Sequence, residues 1–183
     1  MAVEPNRIDY RKLAAALDYY ELKGYEYLEV PWVVSREATN VTLPKDRQAT
    51  TSSIGDLVGS AEQSFIELLL RGVTIQKACA ITPCFRDEEA YDDLHHAYFM
   101  KLELIDTDAT QENLAIMIAD AVGFLSHYLE VAVEKTGKGM YDIVSKKSSI
   151  ELGSYGFRDT PVGRFIYGTG VALPRLDTAR HLS

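Results

Sequence analysis

Cysteine is scarce: Cys79 and Cys84 are the only two in 183 residues. Two thiols cannot build a disulfide framework, and such sparing use fits a reducing compartment. Long apolar runs are missing as well. The most apolar region, Leu114 to Val133, is interrupted by Asp120, Ser126, His127 and Glu130, so no membrane span is expected. Met1 to Tyr10 holds no apolar stretch of the signal-peptide kind, and a cytoplasmic location is the expectation. Positive charge is in deficit, with 19 Lys and Arg against 27 Asp and Glu, a net −8. No global field therefore draws in nucleic acid, DNA is not an expected partner, and any RNA contact needs a local patch. There is no low-complexity tract and no repeat with a period of roughly 20–50 residues. No linker divides the chain, so one domain over residues 1–183 is expected.

What is present suits a globular chain, since 46% hydrophobic content at this length can bury a core without staples. Helical spacing runs from Ile8 to Leu22 and ends at Lys23-Gly24. Tyr25 to Val34 reads as a strand whose Pro31 marks it as an edge, a bulge or a subunit boundary. Residues 35 to 56 read as loop. Ser60 and Gln63 form a capping box before the apolar run Phe65 to Leu70, and Gly72 stops that helix. Lys77 to Arg86 and Ala97 to Ile105 read as a hairpin with its loop over Asp87 to His96. Thr110 caps a helix expected over Gln111 to Glu134. Met140 to Val144 and Ser149 to Ser154 form a second hairpin. Phe165 to Tyr167 is a short strand, followed by Gly168-Thr169-Gly170 opening a last helix that carries Arg175. Strands joined by hairpins, with helices between them, predict an α+β fold: an antiparallel sheet flanked by helices.

Strand alternation places Arg86 and Glu88 on one face, and Phe99, Lys101 and Glu103 on one face of the partner strand. Such a hairpin can present a guanidinium for phosphate, an aromatic ring for a purine and two carboxylates, or it can be a surface hairpin with ordinary ion pairs. Glu151 and Ser154, flanking Gly153, supply two hard oxygens of the kind that help hold Mg²⁺. Gly168 and Gly170 permit close backbone approach.

The order of Phe85-Arg86-Asp87-Glu88, Phe99-Met100-Lys101-Leu102-Glu103, Glu151-x-x-Ser154 and Gly168-Thr169-Gly170 through Arg175 resembles the catalytic core of class II aminoacyl-tRNA synthetases. The seryl, prolyl and glycyl subclass is the nearest match, over about Ile8 to Arg180. The segment from Gly24 to Pro31 resembles the family's dimer-interface motif, so the resemblance implies a homodimer. It implies ATP and Mg²⁺ as cofactors and an amino acid as substrate. By the same resemblance Arg86 meets the α-phosphate, Glu88 the adenine amino group, and Phe99 stacks on the ring. Arg175 covers the ring's other side and reaches the γ-phosphate, while Gly168 and Gly170 complete the ATP site. Glu62 receives the α-ammonium, Glu103 and Tyr167 line the side-chain pocket, and Glu151 and Ser154 hold the metal.

Several positions depart from the family pattern. His95 stands where an arginine is common, Pro174 where a glycine is, and Phe165 and Tyr167 where threonine and asparagine meet serine, so a small or differently shaped substrate is implied. Tyr155 replaces the later cysteine of zinc-binding relatives, so no zinc is expected. No Lys or Arg lies between Arg86 and Lys101, the loop there is acidic, and no anticodon-binding domain is in view. Poor tRNA binding is expected unless a partner chain supplies the contacts. The sequence leaves three functions open: amino-acid activation with transfer to a non-tRNA acceptor, an inactive regulator that binds amino acid or ATP, and a minimal aminoacyl-tRNA ligase.

Overall fold

The computed structural model describes residues 8–44, 48–86 and 92–182. Asp9 accepts a hydrogen bond from the Arg11 N–H and opens α1 (Tyr10–Leu22), which turns Leu13, Ala16 and Tyr20 inward. Lys23 and Gly24, the latter at φ +83°, end it as the sequence predicts. The strand expected over 25–34 is two pieces in two sheets. β1 (Glu26–Tyr27) runs parallel to β5 (Lys77–Phe85), whereas β2 (Val33–Val34) pairs with β4 (Gly55–Leu57). Pro31, which cannot donate to a ladder, lies at the break.

Residues 35–56 are not all loop. Ser35 caps α2 (Arg36–Thr42) by accepting from the Ala38 N–H, and β3 (Thr51–Ser52) turns back onto β4. A seven-residue helix that includes two Thr, Asn and Val has little intrinsic stability, so its signal in sequence is weak. It stands because Glu67, on α3 (Ala61–Leu70), accepts from both the Ser35 hydroxyl and its backbone N–H.

The main sheet has the order β1-β5-β6-β10-β9-β8-β7 and is antiparallel apart from the β1–β5 pair. It contains β6 (Tyr98–Asp106), β7 (Val131–Gly137), β8 (Met140–Ser145), β9 (Glu151–Thr160) and β10 (Gly163–Leu173). One face is covered by α1, α4 (Gln111–Leu125) and α5 (Arg175–His181), around Tyr20, Leu102, Leu104, Met117, Phe124 and Tyr155. The other face is covered in part by α3, through Phe65, Ile66, Ala78, Ala80, Ile105 and Phe165.

Two expectations fail here for one reason, that strand pairing overrides a local pattern. The helix from Gln111 stops at Leu125 rather than Glu134: the chain turns, and Val131 and Val133 pair with Ser145 and Ile143. Their apolar β-branched side chains belong to a strand. Gly168-Thr169-Gly170 does not open a helix; it lies within β10, where Gly168 pairs with strands on both sides and Thr169 with β6, and the helix begins at Arg175.

Candidate functional site

The hairpin β5–β6 and the start of α3 frame the site. Period-two alternation on β6 sends Leu102 and Leu104 to the core under α1 and leaves Lys101 and Glu103 on the face toward α3. Ser60 donates its hydroxyl to Glu103 at 2.9 Å and accepts from the Glu62 N–H, and the Ala61 N–H also donates to Glu103. Two donors at the start of α3 thus converge on one carboxylate, where the helix dipole favours negative charge. Lys101 Nζ completes the set at 3.1 Å from Glu103 Oε1. Burial works against the Lys101 charge, yet Glu103 holds its pKa above the ordinary lysine value. The predicted capping box is shifted by one residue: Gln63 Oε1 accepts from the Gly59 N–H at 2.8 Å.

Arg86 follows β5, and its N–H donates to the Ala97 carbonyl, extending the hairpin by one rung. Its Nε is buried and has no hydrogen-bond partner among the described residues. The guanidinium carbon lies 5.7 Å from the centroid of the Phe99 ring, within cation–π range.

Glu62, in the first turn of α3, is buried and bound side-on by Arg158 of β9, with Nε to Oε1 at 2.7 Å and Nη2 to Oε2 at 3.2 Å. Burial pushes the Glu62 carboxyl above its ordinary value of 4.5, and Arg158 opposes that shift. The Arg158 guanidinium also lies 4.8 Å over the Tyr167 ring. Burial raises the Tyr167 phenol as well.

Two irregularities in the sheet bring the remaining groups together. Val144 pairs with Glu151 but Ile143 with Gly153, so Leu152 is an extra residue and β9 bulges there. Residues three apart on a regular strand face opposite ways; the bulge lets Glu151 and Ser154 line the same cleft. In β10, Thr169 pairs with Glu103 and Val171 with Leu102, which leaves Gly170 as the bulged residue. Thr169 lines the cleft beside Tyr167, two residues earlier on the same face, and past the bulge Val171 and Leu173 turn to the core.

The cleft has two lobes. One is a cavity of about 320 Å³ between Glu62, Arg158, Tyr167 and the end of α2, and the other, of about 290 Å³, holds Phe99, His95 and Arg175. Arg86, Lys101, Glu151, Ser154 and Thr169 line both, so they form the junction. Arg175 Nη2 reaches the Leu94 carbonyl at 3.5 Å, and its Nη1 lies 4.0 Å from Glu151. His95 is bound to Asp92 at 2.8 Å.

Of the residues singled out from sequence, Arg86, Phe99, Arg175, Glu62, Glu103, Tyr167, Glu151 and Ser154 meet in this cleft. Glu88 lies outside the described residues. Gly168 and Gly170 do not cradle a ligand at a helix start. A Cβ on Gly168 would stand 2.6 Å from Met117 and Tyr155, and one on Gly170 would stand 2.5 Å from Leu102. These glycines serve packing. Arg158 is the residue that sequence reasoning passed over, although it shares a strand face with Ser154, four positions away. Cys79 and Cys84 are both buried, and burial pushes the Cys84 thiol up to about 12.

The described residues hold no group of three or more His, Cys, Asp or Glu side chains able to bind a metal by themselves. One half-exposed carboxylate and one hydroxyl at the junction do fit a Mg²⁺ that arrives with phosphate oxygens and keeps most of its waters. No helix among the described residues is long and apolar enough to cross a membrane.

No protein-family model and no curated protein matches the sequence. Solved structures do match in fold. Two structures of pyrrolysyl-tRNA synthetase from Desulfitobacterium hafniense superpose with TM-scores of 0.65 and 0.67 at 18% identity, covering 94% of this chain and 68% and 65% of theirs. Cytoplasmic serine-tRNA ligase from Naegleria fowleri, in complex with AMP, gives 0.67 at 16% identity over 93% of this chain and 46% of that one. The chain therefore spans about two thirds of the pyrrolysyl enzyme and under half of the seryl enzyme. Its fold is that of the class II aminoacyl-tRNA synthetase catalytic core.

Proposed function

We propose that this protein activates an amino acid by adenylation, taking MgATP as cosubstrate. The observation that carries the reading is Arg86: a guanidinium at the junction of two lobes, its Nε buried and unpartnered among the described residues. A buried donor without an acceptor costs free energy, and an anion placed there recovers it. One lobe suits a nucleotide, with Phe99 for the purine and Arg175 for the outer phosphates. The other suits an amino acid, with carboxylates and a phenol on its walls.

In the reaction a carboxylate oxygen attacks the α-phosphorus in line, a new C–O–P linkage forms, and pyrophosphate leaves with the electron pair of the α–β bridge. Arg86 binds the α-phosphate and the incoming carboxylate, offsetting the charge that gathers between them. No general base is needed, because the attacking carboxylate is already ionised near neutrality. Glu151 and Ser154 would help hold a Mg²⁺ that arrives with ATP, and the ion would supply charge neutralisation at the phosphates. Holding both reactants across one junction supplies the proximity term.

The adenylate is passed to an acceptor other than free tRNA. The net charge of −8 and the exposed Asp92 and Asp93 near the nucleotide lobe disfavour a polyanion. Charging of total tRNA by the isolated protein overturns this part. ATP–pyrophosphate exchange, screened across the twenty amino acids with Mg²⁺, tests the reading as a whole. Exchange with one or two amino acids, lost in Arg86→Ala, supports it; no exchange in folded protein overturns it.

A second reading has its own observation. Glu62 and Glu103 are both already held by partners within the chain, as suits a protein that binds its ligand without turning it over. Calorimetry showing amino-acid or ATP binding with no exchange favours that regulator.

A further inference from the structure

Arg158 has no part in the reaction just described, yet it occupies the spot where an amino acid's ammonium is to be received. Its Nε and Nη2 engage both oxygens of Glu62, which leaves its third nitrogen, Nη1, outside that pair. The guanidinium is held flat over Tyr167, so its position is fixed from two sides. Its side chain is 35% exposed, open toward the cavity, while that of Glu62 is 10% exposed.

Counting charge at this end of the cavity decides what can bind. Arg158 and Glu62 cancel. With the α-carboxylate engaged by Arg86 at the junction, the ammonium of a substrate whose side chain is uncharged adds one positive charge beside Arg158, and Glu62 is left to serve two cations. Glu103 cannot compensate, because Lys101 already neutralises it and the α3 donors fix its oxygens. Like charges brought together in a partly desolvated site repel strongly. A second anion on the substrate removes the excess. The free edge of a guanidinium fits a carboxylate best.

Resting on the adenylation reading, we propose that the substrate is an amino acid with a carboxylate on its side chain. Arg158 receives that carboxylate, and Glu62 is shared between Arg158 and the α-ammonium. Arg158 is then the specificity-determining residue of the amino-acid lobe. The neighbouring wall, from the end of α2 and the following chain, is mixed: Thr39, Thr42 and Gln48 stand beside Leu43, Pro44 and Ala49.

The test compares aspartate, glutamate and 2-aminoadipate with asparagine, glutamine and alanine in ATP–pyrophosphate exchange. The wild type is expected to prefer one acidic substrate over its amide by about 100-fold or more in kcat/KM, the discrimination of a site built to pair a polar group. Arg158→Gln erases that preference. Arg158→Lys keeps the charge but loses the fork, so it retains the preference with a raised KM, and it carries the test if Arg158→Gln does not fold. Preference for a neutral amino acid, or unchanged selectivity in both variants, overturns the inference and leaves adenylation standing. If no amino acid supports exchange, adenylation falls, and equilibrium dialysis with labelled aspartate and glutamate decides the inference. Binding of either, weakened at least tenfold in Arg158→Gln, upholds Arg158 as a carboxylate receptor; no binding overturns it.

Discussion

Arg86 and Glu67 show how differently a charged side chain can be used. Arg86 has a buried donor with no partner among the described residues, a place where an anion would complete it. On the proposed function, Arg86→Ala lowers the exchange rate by about 10²–10³-fold, the usual loss when one donor to developing charge is removed. Steady-state exchange kinetics measure that loss, and an unchanged thermal midpoint shows that the fold survives. Glu67 is the opposite case, a carboxylate fully served by Ser35 and Arg71. Burial pushes its pKa up, but the Ser35 donors and Arg71 outweigh burial and hold it below 4.5. A folded pKa below the unfolded one adds stability that is present above the unfolded value and lost as pH falls through the folded one. Glu67→Gln therefore costs about 1.5–3 kcal/mol near neutrality, and the gap to wild type narrows below about pH 4.5. Urea unfolding as a function of pH checks both parts.

At the scale of elements, the bulges and the glycines shape the cleft. Leu152 and Gly170 each add one residue to a strand: the first lets Glu151 and Ser154 line one cleft, and the second turns Val171 and Leu173 into the core. Gly168 and Gly170 let α1, α4 and Tyr155 close onto β10 with no room for a methyl group. Gly168→Ala and Gly170→Ala are expected to destabilise by about 1–3 kcal/mol through overpacking, and calorimetric melting records the drop. If either variant melts with the wild type, the strand yields more readily than its contacts indicate. The N-terminus of α3 has a double task. Ser60→Ala removes a helix cap, costing about 1 kcal/mol, and also takes a donor from Glu103.

At the scale of the molecule, the segment from β1 to β2 carries exposed aromatic side chains. Trp32 is 51% exposed and Tyr27 is 42% exposed, both on or beside the Gly24–Pro31 segment. Isolated exposed aromatics are common, but two beside a two-residue edge strand suit a subunit boundary. We propose a homodimer through this edge. Sedimentation at micromolar concentration is expected to show a dimer, and Trp32→Arg a monomer. A wild-type monomer removes the interface from the reading.

The sequence by itself determined the kind of fold and most of the cleft. Hairpin-joined strands, the α1 stop at Gly24 and the cap at Ser60 are local signals, each set by neighbours a few residues away. Arg86, Phe99, Glu103, Glu62, Glu151 and Arg175 were legible because their order along the chain repeats a known pattern. The structure decided what depends on distant pairing. Whether Val131–Val133 continues a helix is settled by β8, and whether Gly168–Gly170 starts one is settled by β6 and β9. The short helix α2 stands on Glu67, which lies 32 residues from Ser35. Above all, the contact between Arg158 and Glu62 spans 96 residues. No period or spacing encodes such a pair, because it forms only when strand β9 and helix α3 are brought to the same side of one sheet.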